Sequence, residues 1–182
     1  MTAEPRDIVA FWREAGPKAW FKKSAAFDAT IAERFEAAHH AAARGEFDAW
    51  TETAEGSLAL LLLLDQFPRN LYRRSAHAFA TDPLARNVAR RAIGAGHDLA
   101  TAPLLRGFFY LPFEHSEDLA DQARSVDLCE TLEREAGMSA KWARDHRDII
   151  ARFGRFPHRN ACLGRVTTVE EQAFLDGGGF SG

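Results

Sequence analysis

Leu58-Ala-Leu-Leu-Leu-Leu-Leu64, followed by Asp65-Gln-Phe-Pro-Arg-Asn70, decides the fold. The first seven residues are apolar without interruption, and none is β-branched. A helix that is apolar all round belongs inside a protein, so the stretch reads as a central buried helix over 58–67. It does not read as a membrane span. Seven helical residues rise roughly 10 Å, about a third of a hydrocarbon core. Asp65 closes the run, and a carboxylate at that depth needs a cation. Arg69 and Arg159 are the candidate partners.

Composition extends this reading to the whole chain. Ala occurs 33 times and Leu 17 times, against 10 for Val and Ile together. Ala and Leu lose least on entering a helix, and the residues that favour strands are scarce. Phe27, Ile31, Phe35, Ala38 and Ala42 recur at helical spacing, with Gly45 just beyond as a C-cap. Leu119, Ala123, Val126, Cys129 and Leu132 form a second stripe, entered through Ser116 as N-cap with Glu117 and Asp118 in the first turn. Trp142, His146, Ile149, Ile150 and Phe153 form a third, stopped by Gly154 and Pro157. Asp82-Pro83 reads as a cap before proline, and Thr168-Val-Glu-Glu171 as a capping box. The expected architecture is all-α: layered antiparallel helical hairpins around the 58–67 helix. A single domain over 1–182 is expected, with the glycine-rich stretch 177–182 frayed at its end.

The net charge of −3 argues against a nucleic-acid or membrane-surface binder, which would carry a strongly basic face. Cys129 and Cys162 are too few for a disulfide framework and read as reduced thiols, Cys129 in the core. Met1–Asp7 lacks the pattern of a secretory leader, and the expected location is cytoplasmic. Gly-rich phosphate loops, a Gly-x-Ser-x-Gly elbow, His-Glu-x-x-His and Cys-x-x-Cys are all absent from the sequence.

Polar residues concentrate at two corners. Glu114-His115-Ser116-Glu117-Asp118 follows the apolar Leu111-Pro-Phe113. After capping has accounted for Ser116, Glu117 and Asp118, Glu114 and His115 remain as a candidate acid–base pair. Arg155-Phe-Pro-His-Arg-Asn160 offers Arg155, Arg159 and Asn160 to an anion and His158 as a further acid or base. Its competing role is structural, with the arginines neutralising buried acids such as Asp65 or Glu114. His146 lies on an apolar helix face, where a lone histidine is more often a hydrogen-bonded core residue than a ligand. His115, His146 and His158 are too scattered to indicate a metal site, and no cofactor is expected. The similar Phe-Pro corners at 67–68 and 156–157 suit either a faint duplication or convergent helix-stop chemistry.

Phe11-Trp12, Trp20-Phe21, Phe27-Asp28, Leu-Leu-Asp65-Gln-Phe-Pro-Arg-Asn70, Phe79-Ala-Thr-Asp82, Leu111-Pro-Phe-Glu-His-Ser-Glu117, His146 and Gly154-Arg-Phe-Pro-His-Arg-Asn160 occur in this order. Together they resemble the bacterial-type family called domain of unknown function 924, over about Ile8 to Leu175. The resemblance implies an all-helical fold like that of tetratricopeptide-repeat proteins, without their consensus sequence. It carries over no catalytic residue. Arg13-Glu-Ala-Gly16 departs from the Phe-Trp-Phe-Gly usual there, which bears on the packing of the first loop.

The leading expectation is a helical binding module for a peptide, a protein or a small anionic ligand, in a cleft near 114–118 and 155–160. Its ligand-binding residues would be Arg155, Arg159, Asn160, Asp65, Arg69 and His146. The alternative is a small hydrolase-type enzyme using Glu114, His115 and His158 as acid–base groups. A scaffold whose polar groups only fix the packing is the third reading.

Overall fold

The computed structural model describes residues 3–182. Met1 and Thr2, at the head of the stretch read as lacking a leader, lie outside the described residues. The fold is all-helical, with no strand among the described residues. Its helices are α1 (Pro5–Ala15), α2 (Pro17–Trp20), α3 (Ala25–Ala43), α4 (Ala54–Leu61), α5 (Phe67–Leu71), α6 (Asp82–Gly94), α7 (Pro103–Arg106), α8 (Leu111–Glu114), α9 (Leu119–Ala136), α10 (Lys141–Phe153) and α11 (Val169–Asp176). They group into two compact units. The first comprises 1–73 and 77–112, the second 74–76 and 113–182.

The first unit is built on the Leu58–Leu64 run, every residue of which is buried. α4 packs against α1 and α6, and α3 packs against α5. Ile8 and Trp12 from α1 and Ile31 and Phe35 from α3 supply the facing side chains. Trp12 stacks on Trp20 with ring centroids 6.0 Å apart, and the Trp20 indole donates to the Trp12 carbonyl at 2.6 Å. Gly16, at φ 73°, allows the turn between α1 and α2.

Between α4 and α5 the helix widens into a π turn over Leu62–Gln66, so the chain stays helical through Pro68. The first Phe-Pro corner is therefore not a helix stop. A proline inside a helix removes one amide donor and crowds the preceding turn, and the widened turn accommodates it. The Phe67 amide reaches back to the Leu62 carbonyl, and Pro68 has no amide hydrogen. The carbonyls of Leu63 and Leu64 thus lose their ordinary donors and take side chains instead. His39 Nδ1 donates to Leu63 O at 2.8 Å, and the Thr81 hydroxyl donates to Leu64 O at 2.6 Å. His39 is thereby a buried structural histidine. Burial lowers its pKa, outweighing the opposing hydrogen bond to Leu63.

In the second unit, α9 and α10 form a packed hairpin. Arg144 on α10 bridges Glu130 and Glu133 on α9 at 3.1 and 3.2 Å. Gly137 and Gly154, both at φ 69°, end the two helices in the left-handed conformation. Ile149, Ile150 and Phe156 make the core, with Phe153, Phe174 and Phe180 packed around it. The Thr168–Glu171 capping box opens α11. The second Phe-Pro corner opens a short 3-10 turn over Pro157–Arg159, so the two corners have different local structures.

Several expected caps and core positions differ. Asp118, not Ser116, caps α9, accepting from the amides of Ala120 and Asp121. Asp82 is the first residue of α6 and Thr81 holds the N-cap position, while Arg69 takes both Asp82 carboxylate oxygens. Leu119 and Trp142 are 53% and 57% exposed. Both stand at the first turn of their helices.

Candidate functional site

Asp65 and Arg69 belong to the first unit and are engaged by its fold. Asp65 is buried, with Arg69 Nη1 3.4 Å from its carboxylate. Arg69 also donates to the Asp65 carbonyl and, as a fork at 3.0 and 3.1 Å, to Asp82. Burial opposes the Arg69 charge, but Asp65 and Asp82 more than offset it and raise its pKa. The cation that Asp65 requires is thus supplied one turn along the same helix, and neither group is presented to a ligand as an open charge. The first unit also holds Ser57 Oγ 3.0 Å from His97 Nδ1, a pair the sequence reading missed. Ser57 has no exposed surface, so it is not placed to meet a substrate.

The other candidates lie in the second unit. Gln122 donates to the carbonyls of Glu114 and Ser116, each at 2.6 Å, and so pins the 114–118 corner to α9. Glu117 does not serve the helix dipole. It accepts from the Phe156 amide at 2.9 Å and from Arg165 at 2.8 Å. Burial pushes its pKa up, but these donors outweigh that and hold it low. Glu114 is buried, and His115 half-buried beside it.

His146 is 5% exposed and donates from Nδ1 to the Trp142 carbonyl at 2.8 Å. A carbonyl only accepts, so Nδ1 carries the proton and Nε2 keeps its lone pair. Glu114 Oε1 is 3.6 Å from Nδ1, too long for a hydrogen bond. Burial, the neighbouring His115 and then Arg159 push the His146 pKa down to about 4. The ring is neutral at ordinary pH, so its contact with Glu114 is not an ion pair. Cys129 is also silent as a nucleophile: burial, followed by the charges of Glu114 and Glu133, pushes its thiol up to about 12.

At the second corner, Arg155 is committed to Glu171. It forks onto both carboxylate oxygens at 2.6 and 2.9 Å and adds the Val166 carbonyl at 2.8 Å. Glu171 also accepts from the Thr168 amide and from Asn160. Arg155 and then that amide hold its pKa at about 2, against the effect of burial. Arg155 and Asn160 therefore fasten the 155–160 corner to the start of α11. Arg159 lies over the Phe156 ring at 4.4 Å.

Phe156 and Phe180 gather the remaining groups. The His146 ring centroid is 5.4 Å from Phe156 and 4.5 Å from Phe180. His158 is 5.6 and 5.1 Å from the same rings, and His115 is 6.4 Å from His146. Of the residues read as site candidates, His146 and His158 thus meet the same two phenyl rings, Glu114 and His115 lie beside His146, and Arg155 is turned to Glu171. Among the described residues no set of three histidine, cysteine or acidic side chains is arranged to hold a metal ion.

A groove of about 570 Å³ opens beside this cluster, lined chiefly by Trp142, Asp145, Ile149, Phe153, Phe174 and Phe180. This volume is in the range of small-molecule and peptide-anchor pockets. Its charged groups have local partners: Asp145 pairs with Lys141, and Arg152, at the groove's edge, pairs with Glu170 at 2.9 Å. The sequence reading placed Trp142 in a core stripe and Phe180 in a fraying segment, and so missed the groove. The available signal was a lone aromatic residue between Gly177-Gly-Gly179 and Ser181-Gly182.

No helix of the described chain is long and apolar enough to cross a membrane. The chain belongs to the family described as bacterial protein of unknown function, whose model matches residues 8–179. The chain is also similar to a solved structure of a protein of unknown function from Agrobacterium tumefaciens. The two are 57% identical with a TM-score of 0.91, covering 95% of this chain and 97% of that one. No curated protein matches the chain.

Proposed function

We propose that the second unit is a peptide-binding module, and that the groove beside α10 receives an apolar or aromatic side chain of the peptide. The observation carrying this reading is Trp142, an indole 57% exposed at the rim of an aromatic-lined groove. Large exposed aromatics beside a concavity supply most of the binding energy in many interfaces. The charge favours a peptide over a small anion. Asp145 and Asp148 line the groove, and Arg155, read from sequence as an anion clamp, is bound to Glu171. The analogy with stacked helical hairpins that hold peptides is one of fold alone.

A peptide array probed with the purified protein tests the reading, with hits re-measured in solution by fluorescence anisotropy. Trp142→Ala should weaken a groove-binding hit about thirty-fold, the loss typical of a central tryptophan anchor. Equal binding by Trp142→Ala, or an array without hits, overturns it. The acid–base reading of Glu114, His115 and His158 draws support from Glu114 and His115 lying beside His146, which shares the Phe156 and Phe180 rings with His158. Against it stands Phe180, whose ring lies on the His146 and His158 rings.

A further inference from the structure

Phe180 sits at the centre of a ring of aromatic side chains. Its centroid is 4.5 Å from His146, 5.1 Å from His158 and 6.3 Å from Trp142. The two histidines meet it edge to face, the preferred geometry for such pairs. These partners are held from elsewhere: His146 and Trp142 stand on α10, and His158 is in the 3-10 turn after Phe156. Phe180 has no such support. The segment from Gly179 onward has no regular secondary structure. Among the described residues no hydrogen bond holds Phe180; the last backbone bond before it is Gly179 N to Phe174 O at 2.9 Å. Packing alone keeps the ring in place.

The approach to the ring is equally particular. A Cβ at Gly179 would lie 2.5 Å from the Phe174 ring and 2.6 Å from the Phe174 carbonyl oxygen. Only glycine lets the chain pass over Phe174 at this height. Gly178, at φ 82°, sets the preceding bend. The hinge of three glycines is thus shaped to deliver one phenyl ring, while costing that ring the conformational freedom glycines retain when undocked.

We infer that His146, His158 and Trp142 form a binding site for an aromatic side chain, filled in cis by Phe180. Its trans ligand is a peptide segment that presents phenylalanine between small residues, as Gly-Gly-Phe-Ser-Gly does. An imidazole edge suits a phenyl face. Tethering keeps Phe180 at an effective concentration of about millimolar or higher near the site. A weak trans peptide therefore competes poorly while the hinge is intact. This inference shares Trp142 and Phe180 with the groove reading and differs from it in placing Phe180 as an occupant that can be displaced.

The test uses the blocked peptide acetyl-Gly-Gly-Phe-Ser-Gly-amide and the full chain with Phe180→Ala. The peptide should bind this variant and shift the ring resonances of His146 and His158 in NMR spectra. It should bind the parent at least ten-fold more weakly. Gly179→Ala retains the phenyl ring but blocks its delivery, so it should bind the peptide as Phe180→Ala does. Substituting alanine for phenylalanine in the peptide should abolish the shifts. The inference is overturned if the peptide does not bind Phe180→Ala, if it binds parent and variant equally, or if the alanine peptide shifts the same resonances. The groove reading is decided on the chain that keeps Phe180, by the effect of Trp142→Ala on array hits, whereas the inference is decided by Phe180→Ala with Trp142 in place.

Discussion

An alanine at position 56 would set its Cβ 2.2 Å from the Trp50 carbonyl oxygen and 2.9 Å from Thr53 Oγ1. The Thr53 hydroxyl oxygen accepts from the Gly56 amide as the N-cap of α4, so the missing side chain lets the central helix begin against the preceding 3-10 turn. Helix propensity alone would favour Gly56→Ala by about 1 kcal/mol. Overpacking against backbone costs about 1–3 kcal/mol or more, and a 2.2 Å approach is severe. The clash should win: Gly56→Ala is expected to be destabilised by about 2 kcal/mol in urea unfolding, and a neutral or stabilised variant would refute this account. Such a constraint is invisible in sequence, where Gly56 is one glycine near a helix start. The need of Asp65 for a cation was legible because its partner is four residues away. The partner of Arg155 was not, since Glu171 lies sixteen residues on and only the capping box marked it.

At the scale of the element, the continuous helix through Pro68 is the clearest case of periodicity failing to reveal detail. The apolar run announced a buried helix, and the helix is there. What the run could not announce is the π turn, because the added residue changes hydrogen bonding without changing which side chains are apolar. The carbonyls it frees recruit His39 and Thr81, residues distant in sequence. Thr81→Val keeps the shape and removes the only donor of its side chain. With Pro68 unable to replace it, Leu64 O would be left buried without that donor, at a cost of about 1–3 kcal/mol. In a Pro68→Ala background the new amide hydrogen can serve Leu64 O, so the penalty of Thr81→Val should shrink by at least half. A double-mutant cycle by thermal or urea unfolding measures this coupling, and strictly additive effects would show that Pro68 is not the reason for Thr81.

Over the whole molecule, helix content and the buried Leu58–Leu64 run were legible because composition and periodicity act locally and agree. The grouping of His146 with His158, and of Glu114 and His115 with His146, was half legible: the corners were marked, but Phe156 and Phe180 as the meeting point of the two histidines depend on tertiary placement. Each unit also buries a neutral histidine, His39 in the first and His146 in the second, and this gives the fold a definite response to acid. A histidine whose folded pKa is lowered binds its proton more readily when unfolded. Stability therefore falls as pH drops below the unfolded value of 6.5, and for His146 the loss continues until about pH 4. His39 acts in the same direction. The carboxylates work in a lower window: Glu171, held at about 2, loses its contribution only as pH falls from 4.5 towards that value. Glu114, His115, Asp145 and Arg159 surround His146, and the repulsion from His115 and Arg159 reinforces burial. Between about pH 7 and pH 5, His146 alone should cost about 2 kcal/mol of unfolding free energy. His146→Gln, which keeps a donor for Trp142 O but cannot titrate, should remove about that much of the pH dependence while leaving the acid limb below about pH 4 in place. Urea unfolding of parent and variant at the two pH values decides it, and an unchanged difference would mean that His146 is protonated in the folded protein.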